Sequence, residues 1–149
     1  MEEHHFHLKI NWPEGRNSVG DLETKNLKTK ISIPPEMDGP GVGTNPDEML
    51  LGAAATCYII TLAAMLERRK IGVSSLTIES EGIVEVEKGI ITYKKIIHRP
   101  HVVLNKGDLS EQEEKVKQLT EKAEKSCMIS RAIQGNVVIG LEPIIEEVN

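Results

Sequence analysis

Apolar residues alternate with polar ones in FHLKINW (6–12) and most clearly in LKTKISI (27–33), and this period of two predicts half-buried strands. The segment PEGRNSVGD (13–21) between them is rich in turn residues. Residues 34–46, PPEMDGPGVGTNP, are interrupted by Pro and Gly and predict a loop, with GPGVG giving it flexibility. A helix-start signal follows, in which Asn45 is the predicted cap with Glu48 as its partner. Residues 49–66 contain no charged side chain. This run predicts a helix that ends near ERRKIG, where Gly72 helps to stop it.

The next two stretches predict a long hairpin. Residues 75–89 and 91–104 both alternate, and they flank a tight turn at Glu87, Lys88 and Gly89. Gly82 predicts a bulge in the first strand. Pro100 predicts an edge position or a bulge in the second, because proline cannot donate a ladder hydrogen bond.

A second helix and a final strand complete the pattern. Ser110 predicts the N-cap, and Glu113, three residues later, completes a capping box. The apolar stripe of this helix runs from Val116 to Cys127 and on to Ser130 or Arg131. Residues 136–144 predict the last strand. The order βββ-α-ββ-α-β indicates an α+β fold in which an antiparallel sheet covers two helices.

Composition narrows the class of protein. The chain of 149 residues has the length of one domain, 1–149, and its aromatic content of 3% predicts an aliphatic core. The net charge of -5 argues against nucleic acid and anionic membranes as partners. The N-terminal sequence lacks the order of a signal peptide, so we expect a cytoplasmic protein with reduced cysteines.

The uncharged run at residues 49–66 has two interpretations. Its length is at the lower edge of a membrane span, but GAAA and two threonines make its transfer into lipid unfavourable. A helix that is apolar on every side is more typical of a protein core. One small domain can hardly bury such a helix all round, so the pattern favours association of two chains.

Cys57 and Cys127 each lie on a predicted helix, and both can be read as packing residues, since free cysteine behaves as a small hydrophobe. The competing reading is a dithiol where two buried helices meet. A thiol becomes an effective nucleophile when a nearby cation stabilises its thiolate. Arg16, in a glycine-flanked turn, and Arg131, four residues after Cys127, are the candidate cations.

At these residues the sequence resembles the OsmC/Ohr family of peroxidases. The resemblance rests on GTNPDEMLLGAAATC (43–57), on AEKSCMISRAIQGNVVI (123–139) and on the upstream WPEGRNSVG (12–20). It covers nearly the whole chain, and two cysteines about seventy residues apart in these contexts are a specific pair of motifs. The resemblance implies antiparallel sheets that enclose two central helices in an intertwined homodimer, and it implies a thiol-dependent peroxidase active in the stress response.

The resemblance also implies residue roles. Cys57 corresponds to the cysteine that attacks the peroxide and becomes a sulfenic acid. Cys127 corresponds to the one that condenses with it to a disulfide. Arg16 corresponds to the arginine that holds the thiolate, and Asp47 to the acidic residue that orients this arginine. The resemblance further implies that the electrons come from an external dithiol of the lipoyl type, and we expect no bound cofactor.

Two positions depart from the family pattern. Asp47 stands where the family usually has Glu and is one methylene shorter, and Met128 stands where many relatives have Pro. The apolar side chains around the thiols predict a pocket for an alkyl or acyl peroxide, with hydrogen peroxide as a second candidate substrate. The residues of this predicted pocket are Met49, Leu50, Tyr58 and Met128.

The sequence also allows functions other than a peroxidase. The chain could be a non-enzymatic relative that binds an apolar small molecule or carries sulfur on Cys57, or a structural stress protein whose cysteines only pack. The five histidines lack the spacing of a structural zinc site, so we expect no metal; they are His4, His5, His7, His98 and His101.

Overall fold

Three short antiparallel strands, β1 (Lys9–Asn11), β2 (Gly20–Glu23) and β3 (Lys28–Ile31), form the sheet of the first unit of the fold, Met1–Met49. The computed structural model describes all 149 residues, and the second unit is Leu50–Asn149.

A 3-10 helix at Pro35–Met37 interrupts the segment predicted as a loop. The rest of that segment is hydrogen-bonded along β3, because Ser32 exchanges two 2.8 Å bonds with the backbone of Val42, and the Thr44 N–H donates to the Lys30 carbonyl at 2.9 Å. Gly43 has a φ of +72°, and a Cβ there would lie 2.1 Å from the Lys30 oxygen, so only glycine fits this close approach. The expected flexibility of GPGVG is therefore not what the hydrogen bonds of this segment indicate.

The long helix α1 (Pro46–Arg68) begins where the sequence predicts. The Asn45 side chain accepts a 2.9 Å hydrogen bond from the Glu48 N–H, and Pro46 occupies the first helical position. The helix ends at Arg68, within the predicted ERRKIG segment, but the residue that stops it differs from the prediction. Lys70, not Gly72, takes the left-handed conformation (φ 55°), with N–H bonds from Lys70 to Glu67 and from Ile71 to Leu66 closing a Schellman motif.

Burial of α1 is confined to one stripe at four-residue spacing: Ala54, Tyr58, Leu62 and Leu66. By length and composition it is a helix that could cross a membrane, with a mean hydropathy of 2.0 over 18 residues, of which 22% are buried. The core helix of a soluble protein passes the same test. Much of its apolar surface is therefore left uncovered by its own chain.

A long hairpin dominates the second unit. β4 (Val73–Glu87) and β5 (Ile90–Leu104) pair antiparallel through a two-residue turn in which Lys88 (φ 51°) and Gly89 (φ 77°) are both left-handed. The predicted turn is confirmed. The bulge predicted at Gly82 of β4 is wrong, because Gly82 pairs in register with Ile96. The irregularity nearby, between Ile83 and Val84, leaves the extra residue, Lys94, on β5.

Two further strands correct the prediction of an all-antiparallel sheet. β6 (Val138–Leu141) and β7 (Ile144–Glu147) replace the one predicted last strand, and both run parallel to β5. Pro100 is buried inside β5 and lies at no bulge, and the predicted edge position is found only locally, on the side away from β4. It lies between the residues that pair with β6 and those that pair with β7, where no ladder hydrogen bond is needed on that side.

The predicted second helix is two helices, α2 (Leu109–Ser126) and α3 (Met128–Ile133), which separate at Cys127. Cys127 is extended (φ -61°, ψ 124°) and serves as C-cap of α2 and N-cap of α3. The predicted Ser110–Glu113 capping box is wrong, because α2 begins at Leu109. The Glu147 carboxylate of β7 caps it instead, accepting hydrogen bonds from the N–H groups of Gly107 (3.0 Å) and Leu109 (2.9 Å).

The main core of the second unit brings α1, β5 and α2 together around aliphatic side chains, as the low aromatic content predicts. Tyr58 is its one buried aromatic residue, and its hydroxyl donates to the Thr120 carbonyl at 3.0 Å. Cys127 belongs to this core, and Cys57 packs against it. The core therefore fixes the two helices that carry the thiols.

Candidate active site

The two cysteine side chains meet inside the second unit. Both thiols are free, Cys57 being half-buried and Cys127 fully buried, and they are in hydrogen-bond contact with each other. The dithiol that the sequence suggested at the junction of two helices is therefore a feature of the structure. Such contact is what a disulfide between the two residues would require.

The two thiols are electrostatically different. Burial by itself would raise the pKa of Cys57, but hydrogen bonds from the Cys127 thiol, the backbone N–H groups of Ile129 and Met128, and Thr61 outweigh it, so the pKa lies below its ordinary value. Burial and the hydrogen bond to Cys57 raise the pKa of Cys127. Of the two thiols, Cys57 is therefore the one that ionises more readily, and Cys127 is the one that holds its proton more strongly.

The break between α2 and α3 at Cys127 explains why two backbone N–H groups can donate to Cys57. Met128 and Ile129 are the first two residues of α3, and N–H groups in the first turn of a helix have no partner within the helix. Because the chain is extended at Cys127, two of these N–H groups are directed at the Cys57 sulfur. Sequence reasoning missed them, since AEKSCMISRAI contains no Pro or Gly to signal a break.

Thr61 is a further residue that the sequence analysis left out. It lies one turn after Cys57 on α1, and its hydroxyl donates to the Cys57 carbonyl at 2.7 Å and contacts the thiol. The four-residue spacing on a helix was the available signal, since residues i and i+4 share a face.

Arg16 and Asp47 lie in the first unit, Met1–Met49. The Arg16 guanidinium donates to the Met37 carbonyl (2.9 Å), the Asp38 carbonyl (3.3 Å) and the Asn17 side chain (2.8 Å). These acceptors hold the arginine on the turn around the 3-10 helix. The roles of Arg16 and Asp47 in the thiol chemistry stay predictions.

The predicted pocket residues have different environments. Met128 is 63% exposed, whereas Met49 and Leu50 are half-buried. Tyr58 is fully buried and stacks on His98, with ring centroids 4.9 Å apart and planes 9° apart. Tyr58 therefore contributes to the core packing behind Cys57.

His98 is the other unusual group near this core. It is fully buried, its Nδ1 lies 2.7 Å from the Ser80 hydroxyl, and its Nε2 has no hydrogen-bond partner. Burial lowers the pKa of His98 to about 4, so the ring is neutral at physiological pH. The 149 residues place no group of three or more His, Cys, Asp or Glu side chains where it could hold a metal ion.

Comparison with known proteins gives the family. Residues 39–142 match the family described as OsmC-like protein. The uncharacterized protein YmaD of Bacillus subtilis (strain 168) is 63% identical over 146 residues, covering 98% of this chain and 97% of that protein. An organic hydroperoxide resistance protein of Xanthomonas axonopodis pv. citri (strain 306) is 29% identical over 130 residues, covering 85% of this chain and 86% of the relative.

The fold is also similar to that of a solved structure. The crystal structure of an organic hydroperoxide resistance protein OsmC from Legionella pneumophila matches with a TM-score of 0.78 at 24% identity, covering 97% of this chain and 99% of that one. The chain belongs to the OsmC-like protein family. The resemblance seen in the sequence and the α+β fold class are thereby confirmed, and hydroperoxide resistance proteins are among its relatives at low identity.

Proposed function

We propose that the chain is a thiol-dependent peroxidase that reduces organic hydroperoxides through Cys57 and Cys127. The observation that carries the proposal is the contact between two free thiols whose pKa values are shifted in opposite directions. A peroxidatic cysteine needs a thiolate, and its partner needs a proton to give to the departing oxygen. The relatives named for organic hydroperoxide resistance support the same choice of substrate.

The proposed reaction has three steps. The Cys57 thiolate attacks one peroxide oxygen, the O–O bond breaks, and the alkoxide leaves as an alcohol after taking a proton, so Cys57 becomes a sulfenic acid. The Cys127 sulfur then attacks the Cys57 sulfur, and the hydroxyl leaves as water with the proton from Cys127. An external dithiol, for which we propose the lipoyl type, reduces the resulting disulfide by two thiol exchanges.

Within this proposal Arg16 and Asp47 keep the roles that the family resemblance implies. Arg16 adds positive charge at the thiolate, and Asp47 fixes its orientation as a stiff Arg–carboxylate pair. Met49, Leu50 and Met128 offer apolar surface to the alkyl part of the peroxide. The backbone donors at Cys57 supply part of the thiolate stabilisation before any arginine is considered.

A peroxide assay tests the proposal. Consumption of cumene hydroperoxide and of hydrogen peroxide is followed with dihydrolipoamide as reductant, and we expect faster turnover of the organic peroxide. Cys57→Ser should abolish turnover, whereas Cys127→Ser should leave a sulfenic acid that over-oxidises. Peptide mapping after one equivalent of peroxide should find a Cys57–Cys127 disulfide. Two free thiols after this treatment would contradict the mechanism and favour a binding or sulfur-carrying role, which native mass spectrometry would detect as a ligand or persulfide.

We also propose that the working molecule is a cytoplasmic symmetric homodimer. Support comes from α1, where one stripe is buried and apolar residues elsewhere on the helix are exposed, such as Ile60 at 62%. Exposed apolar surface of this extent is typical of a protein–protein interface. A second copy would cover it by an isologous contact.

A further inference from the structure

A cavity of about 370 Å³ lies in the second unit, between the end of α2, α3 and β6. Its wall carries the polar side chains of Glu124, Lys125, Ser130, Arg131 and Gln134 together with two aliphatic residues. None of these residues belongs to the predicted peroxide pocket. The cavity therefore needs an explanation of its own.

Ser130 connects this cavity with the thiols. Its side chain is 4% exposed, lines the cavity, and has a hydroxyl oxygen without a well-formed hydrogen bond. The polar group beside it is the buried Cys127 thiol, which Ser130 contacts through both its hydroxyl and its backbone N–H. Cys127 is thus one side chain away from the cavity, although its own surface is closed.

The chemistry of thiol–disulfide exchange indicates which sulfur of the Cys57–Cys127 disulfide the reductant attacks. An incoming thiolate attacks one sulfur of a disulfide and expels the other, and the thiol with the lower pKa leaves faster. In this pair the Cys57 thiolate is stabilised by Ile129, Met128 and Thr61. Leaving-group stability therefore favours attack on Cys127 with departure of Cys57, and this direction requires an approach from the side of Cys127, where the cavity lies.

The cavity suits a small dithiol. Lys125 and Arg131 outnumber the one carboxylate, Glu124, so the wall is net positive and favours the thiolate that performs the attack. The volume admits one small molecule. A dithiol completes both exchanges from a single position, whereas a monothiol would need a second molecule to reach the buried mixed disulfide.

We propose that this cavity, with Ser130 as its inner wall, is the entry site of the dithiol reductant, separate from the Cys57 side that meets the peroxide. The inference rests on the proposed thiol function. One reductant thiolate attacks the Cys127 sulfur, the S–S bond breaks, and the electron pair leaves on Cys57. The second reductant thiol, after losing its proton, attacks the reductant's own sulfur in the mixed disulfide. Cys127 then leaves as a thiolate and takes up a proton, and the reductant becomes a cyclic disulfide.

Filling the cavity from its exposed rim tests the proposal. The Cys57–Cys127 disulfide is made with diamide rather than peroxide, and its reduction by dihydrolipoamide is timed for Gln134→Trp and for the matched control Asn136→Trp. Asn136 is an exposed amide two residues further on and does not line the cavity. We expect Gln134→Trp to slow reduction about tenfold or more, equivalent to 1.4 kcal/mol or more. Asn136→Trp should stay within about twofold of wild type, because it leaves the cavity free.

A trapping experiment on the wild-type protein identifies the sulfur that an incoming thiol attacks. Diamide-oxidised wild-type protein is treated with 2-mercaptoethanol in the presence of iodoacetamide and then mapped by mass spectrometry. Mercaptoethanol on Cys127 and the alkyl group on Cys57 are the expected result. The reverse assignment, or an unslowed Gln134→Trp protein with native circular dichroism, would overturn the inference. Peroxide is absent from both experiments, so a chain that forms this disulfide with diamide but not with peroxide would contradict the proposed function alone.

Discussion

At the scale of single residues, neutral hydrogen-bond donors lower the pKa of Cys57. The sequence directs attention to cations, because Arg16 and Arg131 are visible in it. The structure adds the Cys127 thiol, two backbone N–H groups and Thr61. The contact between the two cysteines could be predicted from motifs, and their roles stay predictions. The backbone donors could not, because they depend on a helix break that no residue type signals.

Thr61→Val should raise the pKa of Cys57 and slow its alkylation a few-fold at neutral pH. Valine keeps the shape of threonine but removes the hydroxyl that contacts the thiol. Iodoacetamide rates measured against pH give the result. Thr56→Val, an exposed threonine on the same helix, is the control and should leave the profile unchanged. A Thr61→Val profile that overlays the wild type would show that this hydroxyl does not stabilise the thiolate.

His98 predicts a pH dependence of stability. Its ring is buried and neutral, with a folded pKa of about 4 against 6.5 for an ordinary histidine. Between these values the unfolded chain binds more protons than the folded one, so stability is complete above pH 6.5 and falls as the pH decreases toward 4. The difference between the folded and unfolded pKa of His98 corresponds to about 3 kcal/mol of unfolding free energy.

Urea unfolding at pH 7 and at pH 4.5 measures this loss. His98→Phe keeps a ring to stack on Tyr58 and should remove most of the loss attributed to His98. His101→Gln, in the same strand but partly exposed, should retain it. Equal pH dependence of wild type and His98→Phe would assign the loss to other groups.

At the scale of elements, local patterns predicted the helices and the hairpin, while long-range contacts decided the rest. The Asn45 cap and the Lys88–Gly89 turn are local, and both were readable. The parallel pairing of β6 and β7 with β5 is not local, because period-two alternation is the same in parallel and antiparallel strands. The end of α1 near ERRKIG was predicted, but its stop was assigned to Gly72 because Lys70 takes a conformation in which glycine is the usual residue.

The cap of α2 gives a direct comparison between a local and a long-range contact. Glu147→Ala removes the carboxylate that accepts the Gly107 and Leu109 N–H groups, and it should cost about 1 kcal/mol of unfolding free energy. Ser110→Ala removes the residue that the sequence predicted as the cap, and it should change stability little because Ser110 lies inside the helix. Urea midpoints of both variants measure the difference. A larger loss for Ser110→Ala would mean that the sequence prediction describes the helix start better.

At the scale of the whole molecule, α1 raises the question of what covers it. Four residues at four-residue spacing are buried, yet the helix has no charged side chain from Met49 to Leu66. Further exposed apolar residues lie near the tip of the β4–β5 hairpin: Val86, Ile90 and Ile91. A stable homodimer interface buries surface of this apolar kind.

The last prediction is that each active site draws on two chains. α1 begins at Pro46, so Asp47 and Cys57 lie ten residues apart on one continuous helix, which is about 15 Å along its axis. The side chain of Asp47 is too short to span that distance and orient an arginine at the Cys57 of its own helix. A later helix start would have removed the difficulty, but the observed cap at Asn45 excludes it. We therefore expect the Arg16–Asp47 pair of one chain to serve the Cys57 of the other.

Co-refolding Cys57→Ser chains with Arg16→Ala chains tests this arrangement. Each parent homodimer should be inactive or nearly so. If sites are shared between chains, a mixed dimer combines an intact Arg16 with an intact Cys57 at one of its two sites, and it should regain part of the cumene hydroperoxide turnover that both parents lack. Native mass spectrometry counts the mixed dimers, so activity is expressed per heterodimer. Mixed dimers that form and remain as inactive as the parents would place Arg16 and Cys57 of a site on the same chain, because no heterodimer would then contain a complete site.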